Sequence, residues 1–297
     1  MRFGLYVDLT GLFGLAAFMW LALGPSERHR ASGMPPHRLM LLLVAGAVVL
    51  SGLHLLTLTA QMSGTPLSGV DFPSLKLVLV ETPLGLSWIV RVAALVLALS
   101  CILAARPLWP GIVIASGIAL ASLAWAGHGV MHGGLAGWLH LGADILHLLA
   151  AGGWLGSLAG FLLLLSASRT APNLLGVTHR ALKGFATVGT GLVATIILTG
   201  LINAWFTVGI AHIRILPNTA YGMLLLVKLL LVMLMLALAS LNRFRFTPTL
   251  GRSFSIGNPD EARRALAISV FAEALLGVAV LAIVGWLGLL DPTNAAM

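Results

Sequence analysis

The chain has 297 residues, 59% of them hydrophobic and 9% charged, with a mean hydropathy of +1.03. A soluble domain carries roughly a quarter charged residues, so a soluble globular protein is excluded. The net charge of +8 therefore raises the question of which membrane loops hold the cations, not of nucleic acid.

Eight apolar windows of about 20 residues, each long enough to cross a hydrocarbon core of roughly 30 Å, predict an all-α polytopic membrane protein. They run from Leu5 to Gly24, Leu39 to Ala60, Leu84 to Ala105, Gly111 to Gly127, Trp138 to Ser166, Phe185 to Val208, Tyr221 to Leu241 and Leu266 to Leu290. The first is read as a retained helix, because its basic cluster follows the apolar run and no small-residue cleavage site is evident. Prolines punctuate the breaks, and no repeat divides the chain, so a single helical-bundle domain over 1–297 is expected. The stretch from Gln61 to Pro83 has room for a short interfacial helix, and the basic stretch from Asn242 to Ala265 reads as a loop. The single cysteine, Cys101, lies inside an apolar window and excludes an internal disulfide or thiolate cluster.

Loop charge predicts the orientation. One set of alternate loops holds twelve cations: Arg28, Arg30, Arg38, Arg106, Arg169, Arg180, Lys183, Arg243, Arg245, Arg252, Arg263 and Arg264. The opposite set holds Arg2, Lys76 and Arg214, and translocating Lys and Arg is disfavoured. Both termini are thus expected in the periplasm. With that orientation, the ionisable residues inside the windows crowd into the outer half: Asp8, His54, Arg91, His128, His132, His140, Asp144, His147 and Lys228. Glu273 alone belongs to the inner half. Such groups cost several kcal/mol in hydrocarbon unless paired, ligated or hydrated, which points to a site opening outward.

Residues 127–147 read GHGVMHGGLAGWLHLGADILH. His140, Asp144 and His147 follow i, i+4, i+7 and share one helical face; His128 and His132 repeat the i, i+4 step, and Met131 adds a thioether. Two imidazoles one turn apart can hold a metal ion while a carboxylate balances its charge. Imidazole and carboxylate suit Cu(II) or Zn(II), and the thioether of Met131 or Met62 suits Cu(I). His29, His37, His179 and His212 read as interfacial or hydrogen-bonding residues. Arg91 and Lys228 are expected to pair with Asp144 or Asp8. Gly152, Gly153 and Gly156 beside Trp154 are expected to let a neighbouring helix approach.

The run DILHLLAAGGWLGSL, residues 144–158, resembles the signature of the copper resistance protein D (CopD) family of bacterial inner-membrane proteins. So do Gly127 with His128, the run TGLINAWFTVG at 199–209, and the run from Tyr221 to Pro248 that contains Asn242 and Arg243. The likeness is most evident from His128 onward. It implies inward copper movement, served by a periplasmic copper carrier of the CopC type that must act in trans. The family pattern falls on His128, Asp144, His147, Trp154, Asn203, Lys228, Asn242 and Glu273. Three readings stay open: copper transport through an outward His/Asp/Met site; a b-type haem electron-transfer protein with axial ligands from His54, His128, His140 and His147; and a copper-binding or assembly protein without transport. No nucleotide-binding loop is present, so direct ATP hydrolysis is not expected, and neither is any enzymatic activity.

Overall fold

The computed structural model describes residues 1–31, 36–126, 134–208 and 219–290. The helices are α1 (Arg2–Leu21), α2 (Pro25–Ala31), α3 (Pro36–Ser63), α4 (Phe72–Glu81), α5 (Pro83–Leu103) and α6 (Trp109–Ala121). They are followed by α7 (Gly134–Ala167), α8 (Asn173–Thr207), α9 (Ala220–Leu241), α10 (Thr247–Ile256) and α11 (Asp260–Leu287). Seven described helical segments are long and apolar enough to span a membrane.

The fourth expected window is shorter than the rest. Pro110 sits in the first turn of α6, where its missing N–H costs nothing, and the helix tightens into a 3-10 segment, Ser122–Ala126. Together they make an apolar helix, Trp109–Trp125. The Arg2 guanidinium donates to the Gly288 carbonyl, and Gly285 lies against Phe3, so α1 starts where α11 ends.

Two segments differ from their sequence reading or refine it. Between Gln61 and Pro83 lies α4, capped by the Asp71 carboxylate, which accepts from the Ser74 N–H at 3.0 Å. The basic stretch after Leu241 is helical instead of a loop: α9 passes through one π-helical turn, Asn242–Phe246, into α10. Pro248 does not break it; it stands directly after the π-helical turn, where the ordinary helical hydrogen-bond pattern is already interrupted.

α1 is the most enclosed of the long helices together with α7, and it packs on α3, α6, α7 and α11. Lipid tails are as apolar as leucine, so helices associate through close packing. α1 and α7 achieve it backbone to backbone. A Cβ on Gly14 would stand 2.1 Å from the Gly152 carbonyl oxygen and 2.6 Å from the Gly156 Cα; one on Gly156 would stand 2.2 Å from Gly14. Further along, the ring of Phe18 occupies the space beside Gly160. At the other end of the bundle Arg180 pairs with Glu27, tying α8 to α2.

This crossing predicts that Gly14→Ala and Gly156→Ala each force the helices apart, at a cost of about 1–3 kcal/mol. Gly142→Ala, whose Cβ would meet nothing within 4 Å, is the control. Thermal unfolding in detergent should show a clear drop in Tm for the first two; equal behaviour of all three would show that the crossing is not close.

Candidate metal site

α7 and α8 form an antiparallel pair joined by a tight turn at Ser168–Pro172. On α8, Thr199, Asn203 and Phe206 repeat the i, i+4, i+7 spacing of His140, Asp144 and His147 on α7. The two stripes meet as three rungs. The His140 ring, 1% exposed, stacks on Phe206 with centroids 5.0 Å apart and planes 16° from parallel. Asn203 Nδ2 donates to Asp144 Oδ1 at 2.6 Å. His147 Nδ1 lies 2.9 Å from Thr199 Oγ1.

The third rung favours one tautomer. Thr199 Oγ1 spends its single hydrogen on the Thr195 carbonyl at 2.6 Å, so in the contact with His147 the imidazole is the donor. A neutral His147 then carries its hydrogen on Nδ1 and its lone pair on Nε2, the arrangement of a metal-ligating imidazole oriented by a second partner. Gly200 lies beside the ring, where a Cβ would be in ordinary van der Waals contact with it at 3.5 Å. In the middle rung, Asn203 Oδ1 is buried without a hydrogen-bond partner among the described residues. Lys228 on α9 acts on Asp144 within Coulombic range, and Tyr6 and Tyr221 lie within the same reach of that carboxylate.

The remaining expected site residues are placed as follows. His54 is half-buried on α3, with Arg91 and Arg2 as its charged neighbours. Met62 is exposed at the end of α3. His128, Met131 and His132 lie outside the described residues. Among the described residues, no three His, Cys, Asp or Glu side chains gather closely enough to hold one metal ion.

The expected ion pairs do not form: among the described residues neither Arg91 nor Lys228 makes a salt bridge to Asp8 or Asp144. Arg91 is instead fully enclosed and donates from Nε to Ser122 Oγ at 2.9 Å, with Ser122 in turn donating to the Ala119 carbonyl at 2.7 Å. This links α5 to the tight end of α6. The Asp8 carboxylate rests against α3 over Gly46, where a Cβ would be 2.4 Å from Oδ2. A neutral hydroxyl, not a carboxylate, thus meets the Nε–H of Arg91.

A second polar group of contacts lies further along α7. Glu273 of α11 is 1% exposed and accepts from Trp154 Nε1 at Oε1 and from Asn242 Nδ2 at Oε2, both at 2.8 Å. Three elements thus meet on one carboxylate, and the π-helical turn begins at the asparagine that reaches it. Trp154 is more than a packing residue: its indole N–H is one of the two donors.

Thr199 and Phe206 were not anticipated from the sequence, and Asn203 was reached only through the family resemblance. The signal that would have found all three is the repeat of the α7 spacing on the next helix.

A multi-pass bundle with imidazole and carboxylate aligned on one buried helix pair defines a membrane protein built around a polar intramembrane site, and the comparisons give that class its chemistry. Residues 1–138 match the family model described as "Copper resistance protein D-like, N-terminal domain", and residues 179–287 match the one described as "Copper resistance protein D". The chain is 37% identical over 99% of its length to "Copper resistance protein D" of Pseudomonas syringae pv. tomato, with 96% of that protein covered. It is 25% identical over 98% of its length to "Inner membrane protein YebZ" of Escherichia coli (strain K12), with 97% of that protein covered. It is also 33% identical over 68% of its length to "Copper transport protein CutJ" of Bacillus subtilis (strain 168), 36% of which is covered. No solved structure matches. The chain belongs to the copper resistance protein D family, and the match includes the amino-terminal half, where the sequence carries the likeness only in span number and topology. It is a multi-pass inner-membrane protein with a copper-related function.

The Glu273 contacts predict a stability effect separable from copper. Trp154→Phe and Asn242→Leu each remove one donor to a buried carboxylate, and each should cost about 1.5–3 kcal/mol. Unfolding in detergent without added copper reads this; unchanged stability in both variants would mean that the contacts hold nothing together.

Proposed function

We propose that this protein moves copper inward across the inner membrane, taking the ion at a periplasm-facing site built on the α7–α8 pair. The observation that carries the reading is the His147 rung, in which Thr199 fixes the ring with its Nε2 lone pair available. In this reading the termini are periplasmic, and His140, Asp144 and His147 face outward with His54. His128, Met131 and His132, the residues just before α7, complete the donor set, since the described residues supply no three-donor cluster of their own. Asn203 orients the Asp144 carboxylate that balances the charge of the ion.

Lys228 has a defined part in this scheme. A cation beside a copper ion repels it, but Lys228 and copper compete for the same carboxylate. A transport site has to release what it binds, and a resident cation within Coulombic range of Asp144 keeps the affinity finite. A soluble periplasmic carrier of the CopC type delivers the ion in trans, and the protein acts as a carrier without chemical transformation of a substrate. Copper is the cargo; its oxidation state follows from whether Met131 joins the imidazoles or they bind with the carboxylate alone.

The b-type haem reading draws on Arg91 and Lys228 as partners of propionates. Arg91 is engaged by Ser122, and Lys228 lies within Coulombic range of Asp144, so neither side chain favours it. An absorption spectrum of the purified protein separates the two: a Soret band of stoichiometric intensity supports haem, and its absence with bound copper supports transport. A purely binding protein is separated by reconstitution into liposomes holding a copper-sensitive dye, which a non-transporter leaves silent.

Asp144→Ala and His147→Ala should abolish cellular copper accumulation at unchanged protein level, and Thr199→Val should weaken copper binding about 10–100-fold by releasing the imidazole. Ligation requires neutral imidazoles, so uptake should fall as acidification protonates them. Normal uptake by the Asp144 and His147 variants would remove both residues from the path.

A further inference from the structure

At the arginine-rich end of the bundle, Arg169, Arg263 and Arg264 line one cleft of about 390 Å³ between the last turns of α7 and the first turns of α11. Its walls deeper in the bilayer are apolar, and they include Leu162, Leu165, Ile268 and Phe271. Ile268 and Phe271 are 63% and 60% exposed, so the cleft opens sideways towards lipid as well as towards the aqueous interface.

The three guanidiniums are not equivalent. Arg263 is anchored: its Nε lies 3.3 Å from Asp260 Oδ1 and its Nη1 donates to the Leu165 carbonyl at 3.5 Å. Arg169 and Arg264 make no side-chain hydrogen bond or ion pair to any described residue. The acids nearby, Asp260 and Glu261, stand in the first turn of α11, where they complement the helix dipole; Asp260 neutralises Arg263 alone. Two unneutralised guanidiniums remain beside an apolar slot at interface depth.

We infer that this cleft is a binding site for an anionic phospholipid of the arginine-side leaflet, with its phosphate between Arg169 and Arg264 and an acyl chain along Ile268 and Phe271. Charge complementarity selects the headgroup, since each Lys or Arg near the surface contributes about 1 kcal/mol towards an anionic lipid. The lateral opening selects a lipid over a free anion, because a soluble phosphate uses the rim and leaves the apolar wall uncovered. This inference stands apart from the copper site, which lies towards the opposite end of α7.

The test uses the full-length protein in a neutral detergent with added phosphatidylglycerol, phosphatidylcholine or inorganic phosphate, read by native mass spectrometry and by Tm. Phosphatidylglycerol should bind and raise Tm in preference to phosphatidylcholine, with the preference reduced by salt. Arg169→Gln and Arg264→Gln should each lower phosphatidylglycerol affinity about fivefold. Equal binding of the two lipids, full protection by phosphate alone, or unchanged affinity in the double variant would overturn the assignment. If the double variant fails to fold, wild-type protein labelled with a photoactivatable phosphatidylglycerol decides: crosslinks should map to the start of α11 at Ile268 and Phe271, and crosslinks confined to other helices would overturn it.

Discussion

In a hydrocarbon surround, a polar side chain finds its partners on other helices or nowhere, and in this protein several of those partnerships run through one helix. α7 meets α1 with glycine backbone against glycine backbone, meets α8 through three polar and aromatic rungs, and reaches α11 and the π-helical turn through Trp154 and Glu273. These contacts use different faces of the same helix. The close approach to α1 requires that no side chain stand at Gly152 or Gly156, and this keeps the bulky groups of α7 turned towards α8 and α11. Placement of the imidazoles is therefore a consequence of where the glycines are.

The fold was legible to the extent that hydropathy is. A window of apolar residues reports whether a segment can cross a bilayer, and the long helices fall where the windows do. It reports poorly where a helix ends. Asn242 to Ala265 looked like a loop because its arginines lower the hydropathy, yet charge does not break a helix, and Pro248 stands directly after the π-helical turn. The converse applies to α6, whose apolar composition promised a full span while Pro110 and Ser122 bound a shorter one.

The site was legible by halves. A stripe of His and Asp in a membrane helix stands out because ionisable groups are rare there, whereas Thr199 and Phe206 are ordinary membrane-helix residues whose importance appears only through what faces them. Arg91 misled for the opposite reason. A buried guanidinium suggests a carboxylate partner, but the nearest acceptor is the Ser122 hydroxyl at the end of α6, a position that no spacing rule connects to Arg91. Trp154, Asn242 and Glu273 come from distant parts of the chain, so their meeting is a property of packing alone.

Between the α8 rungs and the Glu273 contacts, the buried face of α7 offers an ion little. Ala150, Gly152 and Gly153 are enclosed, Leu192 stands over Gly153, and Ser157 spends its hydroxyl on the Gly153 carbonyl at 2.7 Å. Neither imidazole nor thioether follows His147 along that face. No ladder of such ligands therefore runs inward along that face in this conformation. The α7–α8 contact at that point is leucine on glycine, between the polar rungs on one side and the Glu273 carboxylate on the other.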